Sequence, residues 1–151
     1  MKKIVLLLGM LALMVLGSYT EKTNGAEISI IIHKDNPVTT LSASEVKLYW
    51  LRKIKKRWPV INKNIRPADR KAKCEEQTAF YAKVLTMSAA DVETYFTERQ
   101  YAAAEKPQDK FATDADIINF VAEEGGAIGF VNSASLTAAQ KARVKVVCVV
   151  Q

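Results

Sequence analysis

Residues 28–33, Ile-Ser-Ile-Ile-Ile-His, are β-branched and almost continuously apolar. Such a run is a strand buried on both faces, and it obliges the chain to supply covering layers above and below. Residues 144–150 (VKVVCVV) form a second largely apolar run, and residues 127–131 (AIGFV) a third, in which Gly129 allows close approach of backbone or ligand. A shorter strand is expected over residues 60–67.

Helix signals stand between these runs. Ser42-Ala43-Ser44-Glu45 is a capping box, and Val46, Tyr49 and Trp50 follow at helical spacing, so a helix is expected to reach about Leu51. Residues 72–87 place Phe80, Val84 and Met87 on one face with Tyr81 and Leu85 beside them. Ser88 precedes a helix carrying Val92, Tyr95 and Phe96; Thr113 precedes one carrying Ile117, Phe120 and Val121. Gly125-Gly126 is expected to end the latter in a left-handed cap. Residues 97–112 are mixed and polar, Lys106-Pro107 marks a loop, and Thr137 to Gln140 caps a single turn. Strands alternating with capped helices predict an α/β fold with its sheet covered by helices. At 151 residues the chain is expected to form one domain with a core of its own.

The start of the chain differs in kind. Met1-Lys2-Lys3 leads into IVLLLGMLALMVLG, the basic start and apolar centre of a secretory signal peptide. The alternatives are a membrane anchor or a buried helix, but the run is short for a span. The reading is a signal peptide over 1–26 and a domain over 27–151, periplasmic or secreted, without stable membrane insertion after cleavage. An earlier cut after Gly17 or Ser18 is the other option, and no cysteine follows the run to carry a lipid. Cleavage after Ala26 removes Lys2, Lys3, Lys22 and Glu21 and lowers the net charge from +6 to +4. That mild surplus does not argue for nucleic acid as a partner. Residues 53–58 concentrate basic charge around Trp58; a solvated loop is favoured there over a nucleic-acid or membrane surface. Cys74 and Cys148 are the only thiols. Outside the cytoplasm they can form a disulfide or remain separate buried thiols.

One stretch invites a ligand. RKAKCEEQTAF, residues 70–80, follows the expected strand and opens a helix, and a helix start offers unpaired N–H groups to an anion. Arg70, Lys71 and Lys73 form a basic rim, but Glu75 and Glu76 stand where the donors point. Carboxylates there satisfy the helix dipole themselves and repel an anion. Two charges 4 Å apart interact by about 4 kcal/mol at an effective dielectric of about 20.

Three stretches, IIIHKDNPVTTLSASEV, IKKRWPVINKNIRPADR and FVAEEGGAIGFV, in this order resemble the periplasmic phosphate-binding proteins of ABC transporters, in particular their short single-lobe relatives. Asn36-Pro37, Trp58-Pro59 and Gly126-Ala127-Ile128-Gly129 carry the likeness, which spans about residues 28–131. The resemblance implies a type II periplasmic-binding-protein fold, in which two α/β lobes close on a ligand held by helix N-termini. This chain has residues for about one lobe, a mixed sheet flanked by helices. The family's Arg-Ser-Asp-Gly-Ser-Gly-Thr phosphate stretch precedes an inward Phe. Setting that Phe on Phe80 places its arginine on Arg70, whereas Ala72, Lys73, Cys74, Glu75 and Glu76 replace its aspartate, glycine, serine, glycine and threonine.

Other chemistries find no support. His33, the single histidine, ends a buried-looking strand, and one histidine with two distant cysteines does not make a metal site. Glu75-Glu76 and Glu123-Glu124 are adjacent helical pairs that point in different directions. No phosphate-loop or dinucleotide fingerprint occurs. The expectation is therefore a non-enzymatic module without cofactor that takes a small oxyanion such as phosphate weakly through Arg70, Lys71, Lys73 and Cys74, with Gly126 and Gly129 permitting close approach. A transporter permease or an envelope protein is the expected macromolecular partner. The rival is an envelope interaction module that keeps the fold without the solute and meets an acidic partner through exposed aromatics and residues 52–58.

Overall fold

The computed structural model describes residues 25–53 and 56–151; all but the last two residues of the expected signal peptide lie outside them. Five strands form one sheet: β1 (Ile28–His33), β2 (Arg66–Arg70), β3 (Asp109–Phe111), β4 (Ala127–Asn132) and β5 (Val144–Val150), in the order β3-β2-β4-β1-β5. β2 runs parallel to β3 and β4, and β1 runs antiparallel to β4 and β5. The helices are α1 (Ala43–Trp50), α2 (Glu75–Phe80), α3 (Ala89–Ala103), α4 (Asp114–Glu123) and α5 (Ala138–Lys141). The predicted α/β architecture, a mixed sheet flanked by helices, is what is observed.

Alternation along β1 divides the core. Ile28, Ile30 and Ile32 join Ile128 and Phe130 on one face, where they meet Val46 and Trp50 of α1, Phe80 of α2 and Val92 and Phe96 of α3. Ile31 and Val131 face the other way, onto Ile117, Ile118 and Val121 of α4. On the first face Phe80 stacks on Phe130 with centroids 4.3 Å apart, and Trp50 tilts against both. After Phe80 the helix widens into a π turn over Tyr81–Leu85 that buries Tyr81, Val84 and Leu85.

The caps form as the sequence predicts. Ser42 accepts from the Glu45 amide at 3.2 Å and its own amide donates to the Glu45 carboxylate at 2.8 Å. Ser88 with Asp91, and Thr137 with Gln140, make the same reciprocal pair.

Three details differ from expectation. Residues 60–65 are not strand: Trp58 and Lys63 close a turn (N···O 2.9 Å), Val60 is exposed, and the strand begins at Arg66. Within the mixed, polar residues 97–112, α3 continues to Ala103 and β3 adds a short edge, with the loop at Lys106-Pro107 between them. The glycine cap after α4 does not form, because Glu124 leaves the helix in an extended conformation and no described glycine has positive φ. Trp58 is not an exposed aromatic of the basic segment. It is buried, stacks on Tyr49 at 4.6 Å, and donates through Nε1 to the Gly126 carbonyl at 2.9 Å.

Candidate functional site

β2 delivers residues 71–74 directly to the start of α2, so the strand-to-helix junction expected at Arg70 is present. Its floor is polar. Asp69 is fully buried, and its carboxylate accepts from the Arg70 amide at 2.6 Å, Gln77 Nε2 at 3.1 Å and the Tyr81 hydroxyl at 2.5 Å. Burial, followed by the charge of Asp69, pushes the Tyr81 hydroxyl far above the ordinary phenol range, so it remains a donor. Gln77 also donates to the Arg70 carbonyl at 3.1 Å and ties α2 to the strand end.

Arg70 itself is engaged. Its Nη1 donates to Asp114 at 2.8 Å, and both side chains are largely covered. Asp114, the first residue of α4, also accepts from the Asn132 amide at 3.0 Å and the Ser135 hydroxyl at 2.7 Å. The strand end is thus clipped to the positive end of a neighbouring helix through an acidic bridge.

The helix start is engaged as well. Cys74 is the N-cap residue and makes no side-chain cap hydrogen bond. Glu76 accepts from Asn132 Nδ2 at 3.3 Å. Burial works to raise the pKa of Glu76, but polar groups around it, Asn132 among them, together with the field of Arg70, hold it below the usual value. A carboxylate of the chain therefore places negative charge beside the first turn of α2.

Arg70, Lys71 and Lys73 share a cavity of about 190 Å³ with Gln77, Tyr81, Lys110 and the carboxylate-bearing Glu93. Among the described residues no carboxylate forms an ion pair with Lys71, Lys73 or Lys110. Lys110 escapes sequence reasoning because β3 has only three residues and no readable alternation. Asp69 escapes it because a charged residue in a Pro-containing segment reads as loop.

Gly126 and Gly129 are not brought to this edge. Gly126 precedes β4 at the opposite end, beside Arg66, whose amide donates to its carbonyl at 2.9 Å. A Cβ there would overlap the Asn64 carbonyl. At Gly129 a Cβ would come within 2.7 Å of Ile117 and 3.3 Å of Val121, so the missing side chain seats α4 on the sheet. Cys74 and Cys148 are free thiols on separate elements, the first at the start of α2 and the second in β5. His33 ends β1, and its Nδ1 accepts from the Asp35 amide at 3.2 Å. Among the described residues no cluster suited to a metal ion occurs, and no helix is long and apolar enough to cross a membrane.

The sheet and its two helical layers define a single α/β lobe of the type found in periplasmic binding proteins. The solved structures it resembles include substrate-binding proteins of phosphate ABC transporters. One, from Clostridium perfringens and solved with bound phosphate, superimposes with a TM-score of 0.58 at 19% identity, over 81% of this chain and 45% of its own. An ABC-type phosphate transport receptor from Vibrio cholerae gives 0.58 at 16% identity, over 81% and 46%. PstS from Borrelia burgdorferi gives 0.57 at 10%, over 81% and 47%. The chain thus spans a little under half the length of these structures. No family model and no curated protein matches it.

Proposed function

We propose that this chain is an exported, non-enzymatic module of the phosphate-transporter solute-binding kind, cut from 1–26 by signal cleavage, whose anion site has become degenerate. Weak capture of a small oxyanion such as phosphate falls to the basic rim of Lys71, Lys73 and Lys110, with Arg70 behind it. The observation that carries this reading is the chain's own carboxylates at both expected anion contacts: Asp114 bonded to Arg70, and Glu76 placed in the first turn of α2. The fold shared with phosphate-transport proteins supports the ligand class, and a permease is the partner that follows from it. Flexible lysine ammoniums without a ring of main-chain donors give attraction but little geometry. Calorimetric titration with phosphate, sulfate and pyrophosphate tests this. The expected dissociation constants are about millimolar, near 4 kcal/mol of binding free energy; submicromolar phosphate binding contradicts the reading.

A second reading, an envelope interaction module without solute, is favoured by exposed groups away from the rim. Lys53, Lys56 and Arg57 are exposed, and Tyr101 is 86% exposed. Capture of an acidic envelope partner that disappears when Lys56 and Arg57 are changed to alanine supports it; unchanged capture removes it.

A further inference from the structure

A second basic cavity lies at the other end of β2. It measures about 390 Å³, and Arg52, Lys56, Arg66, Glu105 and Lys106 line it. The Glu105 side chain is 7% exposed and is shared among several cations. Arg99 holds it through bonds of 2.8 and 3.0 Å, Lys56 approaches to 2.9 Å and Arg52 to 3.9 Å. Three cations converge on one carboxylate. Arg66 is matched by Asp109 and Glu124, whereas among the described residues Lys106 reaches only Asp109, at 3.9 Å. The lining therefore carries more positive charge than its own partners balance.

Arg52 concentrates the cost. Its φ of 51° is the left-handed turn that ends α1, where the Arg52 and Lys53 amides donate to the Tyr49 and Leu48 carbonyls, each at 3.1 Å. Its side chain is only 10% exposed. Nη2 donates to the Lys106 carbonyl at 2.7 Å, but the buried Nε has no hydrogen-bond partner among the described residues. Burial depresses the Arg52 pKa more than Glu105 raises it, and Arg99 adds to the depression. A buried guanidinium short of acceptors and a cationic cavity meet at one residue, and together they mark a binding site.

We infer that this cavity binds a small molecule through a carboxylate or phosphate group held between Arg52, Lys56 and Lys106. The ligand oxygens supply acceptors that the Arg52 guanidinium lacks, a modest turn of the side chain brings Nε to bear, and the added negative charge offsets the surplus around Glu105. The inference is independent of the oxyanion rim, which lies past the far end of β2.

The test is a titration of the arginine-labelled full chain, following the Nε–H resonance of Arg52 by heteronuclear NMR, with succinate in one arm and inorganic phosphate in the other. A chloride series at matched ionic strength serves as the control. A saturable shift at Arg52 in either arm is expected, and the arm that produces it identifies the group as carboxylate or phosphate. Affinity, read from backbone amides around the cavity, is expected to fall about tenfold in Arg52→Lys, which keeps the charge but loses the planar fork, and severalfold in the surface variant Lys106→Gln. It is expected to be unchanged in Lys71→Ala/Lys73→Ala. No saturable shift in either arm, the same shift with chloride, or undiminished affinity in both cavity variants overturns the inference.

Discussion

Single side chains in this protein are held by partners whose loss has a definite cost. Tyr81 and Gln77 are the side-chain donors to the buried Asp69 carboxylate. Tyr81→Phe removes one and leaves a covered anion short of an acceptor's partner, so unfolding in urea is expected to show a loss of about 1–3 kcal/mol. Gly129 is constrained in the opposite way. In Gly129→Ala the new methyl meets Ile117 and Val121 within 2.7 and 3.3 Å, and overpacking of this kind costs about 1–3 kcal/mol in the same assay. Glu105 governs the acid limb. Its bonds to Arg99 and then to Lys56, against the opposing effect of burial, bring its pKa down to about 2. A depressed carboxylate contributes stability above its ordinary pKa of 4.5, and that contribution is withdrawn as the pH falls from there to about 2. Glu105→Gln is expected to lower stability at neutral pH and to flatten its decline across that window, as thermal melts at stepped pH will show.

At the scale of elements, the caps define the helices more sharply than their apolar faces do. Among the described residues α3 is the longest helix, with 15 residues, yet it buries only Val92 and Phe96, so the reciprocal Ser88–Asp91 pair does much to fix its start. Ser88→Ala is expected to cost about 1 kcal/mol of stability, measurable as a lower denaturant midpoint with an unchanged slope. The same local logic made α1, α3, α4 and α5 legible from their caps, and β1, β4 and β5 from their apolar runs. β2 was not legible: Arg66-Pro67-Ala68-Asp69-Arg70 has no alternation, and its place between β3 and β4 is secured by long-range pairing and by buried hydrogen bonds to Asp69. The apolar residues upstream misled for a physical reason, since Trp58 and Ile65 are buried as ends of a turn while Val60 points to solvent. The glycine cap failed because Gly126 serves close backbone approach to Asn64 instead of a left-handed conformation.

On the scale of the whole molecule, the sheet edge at the C-terminal end of β2 is where open α/β folds place their ligands, and the chain's own groups crowd it. The rim cations Arg70, Lys71 and Lys73 were readable from their position just before a helix start. Lys110, Asp114 and Asn132 were not, because they come from elements more than twenty residues away that tertiary pairing brings to the same edge. The account turns on Glu76 standing in for an anion at the start of α2. Its most direct test is the phosphate affinity of Glu76→Gln beside that of the parent chain, measured by calorimetry at low ionic strength. Removing the charge is expected to tighten phosphate binding about tenfold or more from a weak parent value; equal affinities, or a parent chain that already binds phosphate tightly, contradict it.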